Sequence, residues 1–168
     1  MASGRVHATA TLLLAPLVAG AAWHWFGPEA ALDAGLGYLV TLAVNPDLDQ
    51  EGMSSVEADI LRYTAGFGAP WLGLWFPYAM AVRHRRSFSH FPLIGTVGRL
   101  LYLAAYAPVF LGVHLLLASL VPWITVDWPP VSALWTALGT VAWVRVLRAA
   151  AGMAVSDAVH WVMDGCPV

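Results

Sequence analysis

Lysine is absent from this chain of 168 residues, cysteine occurs once, and charged residues make up only 11% of it. Each shortage excludes something. A single thiol, Cys166, cannot form an internal disulfide. A net charge of −2, with every basic residue an arginine, excludes the basic face that nucleic acid demands. So little charge beside 60% hydrophobic residues and a mean hydropathy of +0.69 excludes an ordinary soluble globule, in which about 25% of residues are charged. The composition is that of a membrane protein.

A crossing helix needs roughly 20 largely apolar residues, so the length allows one domain, 1–168, with about four crossings. The expected fold is all-α and polytopic, with interfacial or re-entrant helices between the spans. The N-terminal MASGRVHATATLLLAPLVAGAAW has the form of a secretory signal, but apolar character continues through Trp23, Trp25 and Phe26, which favours a retained first span over 8–26. A short second apolar segment, 30–44, carries Gly35 and Gly37, where helices can approach closely. Further spans are expected at 100–121 and from 131 to 144. Between them, Ser54 and Glu57 read as a capping box, and Glu57, Asp59 and Arg62 alternate with Ile60, Leu61 and Tyr63 as on an interfacial helix. The run WLGLWFPYAMAV is too short to cross, so 54–82 reads as a re-entrant or interfacial pair. This topology puts Arg5, Arg62, Arg83, Arg85, Arg86, Arg99, Arg145 and Arg148 on one side, which the arginine bias marks as cytoplasmic. Glu29, Asp33 and Asp127 fall on the other.

Four polar islands interrupt the apolar chain: His7, NPDLDQE at 45–51, RHRRSFSH at 83–90 and DAVHWVMD at 157–164. On a helix Asp157, His160 and Asp164 share one stripe. Asp47 and Asp49, one residue apart, face the same way in an extended segment. His84 and His90 bracket a turn that brings both imidazoles to one centre, and neutral imidazole ligates zinc, manganese and iron. Read singly, each island has a plainer meaning: a polar stripe paired with arginine, a capped loop, or a basic patch drawn to anionic membrane lipid. Read together, His7, His84, His90, His160, Asp47, Asp49, Asp157 and Asp164 on one face supply enough donors for one or two divalent ions, zinc first. Histidine and carboxylate without thiolate suits a catalytic site with an open position. The expected chemistry is metal-dependent hydrolysis of a phosphoester or lipid-like substrate at the cytoplasmic membrane face. Asp47 or Asp164 then serves as base or further ligand, and Arg85, Arg86 and Ser89 hold the anionic group.

The order of His7, PDLDQ, HRRSFSH followed by PLIGTVGRLLY, and DAVHWVMD resembles small bacterial and archaeal integral membrane proteins grouped as metal-binding proteins of unknown function. It is similar, more distantly, to YdjM-like inner-membrane metal-dependent hydrolases, although Arg stands for Gly and Ser for Thr in the HRGxTHS element of that pattern. The resemblance covers nearly the whole chain and implies metal ligands at His7, Asp49, His84, His90, Asp157 and His160. Two other readings stay open: a non-catalytic membrane protein with a closed, structural metal site or a basic lipid- or partner-binding loop, and a transporter with an ion site at mid-membrane.

Overall fold

The computed structural model describes residues 4–49, 55–82, 90–121, 136, 139 and 143–166. Among them every regular element is helical, as the composition predicts: α1 (Gly4–Phe26), α2 (Pro28–Val40), a 3-10 turn (Pro46–Asp49), α3 (Ser55–Tyr63), α4 (Ala69–Ala81), α5 (Pro92–Leu120) and α6 (Trp143–Met163). Gly27, at φ 87°, reverses the chain between the first two helices, and Pro28 opens α2 at the position where a missing N–H costs nothing. The helices then lie side by side in the order α1, α2, α6, α5, while α3 rests on α1 and α4 covers the 3-10 turn.

Small residues let α2 sit between its neighbours. A Cβ on Gly37 would lie 2.0 Å from the Ala149 carbonyl oxygen, and one on Gly152 would lie 2.0 Å from that of Ala34. Gly35 faces the other way, 3.3 Å from the Ala19 methyl group by the same construction. The expectation that Gly35 and Gly37 mark close helix approaches therefore holds, with one glycine serving each flank of α2.

Several charged and polar residues are buried while long apolar stretches are exposed. The buried set includes His7, Asp33, Asp47, His90, Arg99, Asp157 and His160, whereas Leu13, Leu17, Trp25 and Phe26 on α1 are 67% to 74% exposed and Leu101 and Leu120 on α5 are exposed alike. Among the described residues two helices, α1 and α5, are long and apolar enough to cross a membrane. Four crossings were expected, and the difference has physical causes. Helix α2 has 13 residues, about 20 Å of rise against a hydrocarbon core of about 30 Å. Helix α6 is longer but carries Arg145, Arg148 and Asp157, and most of the expected span from 131 lies outside the described residues.

A second correction concerns orientation. Arg145 and Arg148 do not lie at the same end as His7. Arg145 donates to Asp33 at 2.9 Å, and Arg148 lies 3.7 Å from both Asp33 and Glu29, so these arginines sit at the α1–α2 turn. Helix α6 starts there and runs back toward His7, which the count of spans had concealed.

Helices α3 and α4 pack back against the elements that precede them, α3 on α1 and α4 on the 3-10 turn. Arg5 on α1 holds Asp59 on α3 at 2.9 Å, and the Trp71 indole donates to the Ala43 carbonyl at 3.0 Å. Val44, Leu48, Trp75, Tyr78 and Met153 form the one apolar cluster of buried residues described here. Burying a side chain such as Leu48 stabilises by about 1.5–3 kcal/mol. The cluster thus fixes the 3-10 turn, and with it the residue beside Leu48, Asp47. Ser54 of the expected capping box lies outside the described residues.

Candidate metal centre

Four segments meet at one end of the helix layer, and each delivers its side chain for a local reason. His7 lies in the second turn of α1 and is buried against α6. After α2 ends at Val40 a turn leads to Asn45, where Pro46 disfavours helical backbone, and a 3-10 turn begins at Pro46. With Leu48 taken into the core, Asp47 is buried on the side of the histidines. His90 precedes Pro92, the first residue of α5. His160 lies in the last turn of α6, and Asp164 follows the helix end, where Gly165 at φ 83° turns the chain. The Cys166 amide donates to the Trp161 carbonyl at 2.9 Å and the Gly165 amide to that of Val162 at 3.1 Å, the paired closure that a left-handed glycine permits. This cap fixes where Asp164 leaves the helix.

One donor atom from each of Asp47, His90, His160 and Asp164 lies within 4.8 Å of the others. The Nε2 atom of His160 is 3.5 Å from Asp47 Oδ1 and 3.3 Å from Asp164 Oδ2, and His90 Nε2 is 3.9 Å from Asp47 Oδ1. Bonds of about 2.0–2.2 Å set the donors of a tetrahedral zinc site about 3.3–3.6 Å apart. The spacing therefore suits a single ion better than a set of mutual hydrogen bonds. Two of these atoms, His160 Nε2 and Asp164 Oδ2, are buried without a hydrogen-bond partner among the described residues, a costly state for polar groups unless something else satisfies them. The donors are of the type and spacing that hold a divalent metal.

His7 stands beside this group of four. Its Nε2 is 3.1 Å from Asp164 Oδ1, and its ring stacks on that of His160 with centroids 3.7 Å apart. Asp164 thus faces His7 with one oxygen and the donor group with the other. Burial pushes the Asp47 carboxyl up, but the neighbouring imidazoles of His160, His90 and His7 outweigh it and hold Asp47 well below the usual carboxylate range.

The structure sorts the expected site residues into three kinds. Asp47, His90, His160 and Asp164 come together, with His7 adjoining. Asp157 goes elsewhere: its Oδ2 accepts from Arg99 Nη2, and the Thr96 hydroxyl meets the same oxygen, in a pair whose side chains are 0% and 1% exposed. His84, Arg85, Arg86 and Ser89 lie outside the described residues, as does the side chain of Asp49. Pairing with arginine was the plainer reading of the 157–164 island, and the structure makes Arg99 the partner of Asp157. The signal for Arg99 was an arginine eight residues into an apolar segment, which in a membrane demands a partner.

Next to the donor group is a cavity of about 20 Å³, lined by His7, Thr11, Thr41, Asn45, Asp47, Ser156 and His160 among others. That is room for one water, which needs roughly 10–15 Å³ by this measure. Asn45 Oδ1 is buried beside it without a hydrogen-bond partner among the described residues. No curated protein and no solved structure matches the chain. The metal-type donor set has a counterpart in its family: a model for "Uncharacterized metal-binding protein (DUF2227)" matches residues 2–168, and the chain belongs to that family.

Proposed function

We propose that this protein is a membrane-embedded, metal-dependent hydrolase that acts on a phosphoester of an amphiphilic substrate at the cytoplasmic membrane face. The observation that carries the reading is the convergence of Asp47, His90, His160 and Asp164 beside a cavity large enough for one water. These four residues would hold a divalent ion, which would supply Lewis-acid polarisation of a phosphoryl oxygen and lower the pKa of water towards about 7. Zinc suits the two imidazoles and two carboxylates, with manganese and iron as alternatives. His7 orients Asp164 through its 3.1 Å contact, and Thr11, Thr41 and Ser156 give the cavity a polar wall. Arg85, Arg86 and Ser89, close in sequence to His90, hold the anionic group.

Membrane embedding is supported by the exposed apolar faces of α1 and α5 and by the polar character of what is buried. Crossings beyond these two, to about four in all, would draw on 131–142. Arg5, Arg62 and Arg99 lie toward the metal end, and Arg83, Arg85 and Arg86 are close in sequence to His90. At the opposite end, beside Asp33 and Glu29, are Arg145 and Arg148. This asymmetry supports a cytoplasmic site. The resemblance of PDLDQ and HRRSFSH to the pattern of YdjM-like hydrolases is the ground for the hydrolytic part.

A second reading has its own observation. Four protein donors close a tetrahedral shell, as in structural zinc sites. The two readings separate on one experiment: metal content of detergent-purified protein, wild type beside Asp47→Ala and His160→Ala, followed by release of phosphate from a panel of phosphoesters by the metal-loaded form. Hydrolysis requires stoichiometric metal, lost in both variants, and metal-dependent phosphate release. Stoichiometric metal without release from any member leaves the structural site, and wild-type protein that takes up no zinc, manganese or iron removes both readings.

A further inference from the structure

The hydrogen-bonding capacity of the small cavity beside the metal donors can be counted group by group. Thr11 on α1, Thr41 at the end of α2 and Ser156 on α6 meet in its wall, all three buried. A hydroxyl has one proton to give. That of Thr41 goes to the Tyr38 carbonyl, 2.6 Å away. In the 2.6 Å contact between Thr41 Oγ1 and Ser156 Oγ the serine is therefore the donor. Both protons are then spent, and Ser156 Oγ keeps only lone pairs for other neighbours.

Asn45 brings a further acceptor. An asparagine at a turn commonly folds its side chain onto the backbone two residues on. Here the Leu48 amide donates to the Asn45 main-chain carbonyl at 3.3 Å, while Asn45 Oδ1 is buried without a hydrogen-bond partner among the described residues. The carboxylate of Asp47 belongs to the same wall. Of the side-chain oxygens in that wall, only Thr11 Oγ1 carries a proton not assigned in this way.

Such a wall selects its occupant. Acceptors repel an anion, and an apolar filler leaves each of them unpaired. They call for a small molecule with hydrogens to give. The volume of about 20 Å³ admits one water and no phosphoryl group.

We infer that Asn45 and Ser156 are positioning residues for a single water, which gives its hydrogens to Asn45 Oδ1 and Ser156 Oγ and so turns its lone pairs toward Asp47 and His160. The inference rests on the metal site and the hydrolysis proposed above, to which it adds the seat of the water. It also bears on the direction of approach. With the cavity too small for a phosphoryl group, the substrate reaches the donor group from another side and does not displace this water.

The test uses full-length protein in detergent, loaded with Co²⁺. A divalent ion held by the four protein donors alone is four-coordinate, and one added water makes it five-coordinate. The visible absorption of cobalt is several-fold stronger in the tetrahedral case. Wild type should show the weaker, five-coordinate spectrum. Asn45→Leu and Ser156→Val each replace an acceptor with methyl groups that fill the cavity. Each should keep stoichiometric cobalt and shift to the stronger, four-coordinate spectrum. Thr9→Val, which removes an exposed hydroxyl of α1 outside the wall, should leave the spectrum as it is.

A four-coordinate spectrum in wild type overturns the inference, as does a five-coordinate spectrum in a filled variant that holds cobalt. If one filled variant loses its cobalt, the other decides. Loss from both also overturns the inference, because these residues would then support the ligands and not the water. Wild type that takes up no cobalt removes the inference together with the proposed function. Phosphate release is read separately. Five-coordinate wild type without release would remove the hydrolytic reading and leave the water site, whereas release by a four-coordinate wild type would do the reverse.

Discussion

His7 and His160 stack face to face, their ring centroids 3.7 Å apart and their planes within 10° of parallel, although they come from opposite ends of the chain. Asp164 spans the pair, with Oδ1 3.1 Å from His7 Nε2 and Oδ2 3.3 Å from His160 Nε2. The contact joins the first helix to the last at the level of the metal donors. It also gives the two histidines different duties, because only His160 belongs to the group of four.

That difference is measurable. His160→Ala should abolish stoichiometric metal binding. His7→Ala removes a residue that orients a ligand, and such changes typically weaken metal affinity by about 10–100-fold. Zinc titration against a competing chelator separates the two outcomes. Loss as complete in His7→Ala as in His160→Ala would make His7 a direct ligand, as the family resemblance implies.

Asp157 invites the opposite experiment. It was expected to ligate, yet it pairs with Arg99 in a site closed to solvent. Removing one partner of a buried ion pair costs about 3–5 kcal/mol because the other charge is left unpaired, whereas replacing both with apolar residues of similar size is often neutral. Asp157→Leu should therefore lower thermal stability sharply, and Arg99→Met combined with Asp157→Leu should recover most of it. Metal content should persist in the double variant. A stable double variant without metal would restore Asp157 to the ligand set.

The helix layer makes its own prediction at Gly37. A Cβ there meets the Ala149 carbonyl oxygen at 2.0 Å, a backbone atom that cannot rotate away. Overpacking of this kind costs about 1–3 kcal/mol, and more where backbone must shift. Gly37→Ala should lower the Tm in detergent, while Gly20→Ala, where a Cβ meets nothing within 4 Å, should leave it unchanged or raise it, since alanine is the better helix former by about 1 kcal/mol. Equal effects of the two substitutions would mean that α2 and α6 do not cross as closely as described.

Much of this was legible because polar residues are scarce here. In an apolar chain the islands at His7, Asp47, His90 and the end of α6 stood out, and all of them meet. What the sequence did not resolve was depth along α6. Asp157 and Asp164 fall on nearly the same face of a helix, but seven residues set them about 10 Å apart along its axis. The deeper one meets Arg99 and Thr96, and the shallower one, released by the Gly165 turn, meets the histidines. Periodicity reports the face and not the depth. The partner of Asp33 was missed for a related reason: counting a full span up to Val144 put Arg145 at the wrong end, although a buried aspartate on α2 needs a cation near it.

Orientation in the membrane can be read from the native thiol. Cys166 is exposed and free, two residues beyond Asp164, so it reports the metal end of the layer. Trp25 is exposed at the opposite end of α1, and Trp25→Cys in a Cys166→Ser background reports that side. If α1 crosses the membrane with the metal end in the cytoplasm, a membrane-impermeant maleimide added to intact cells should label Trp25→Cys and leave Cys166 untouched until the membrane is permeabilised. The reverse pattern would keep the crossing and invert the site, placing any substrate on the outer surface and removing the meaning given to the arginine asymmetry. Protection or labelling of both thiols together would instead put the two ends of α1 on one side. The exposed apolar faces of α1 and α5 would then need another cover, such as a second copy of the chain.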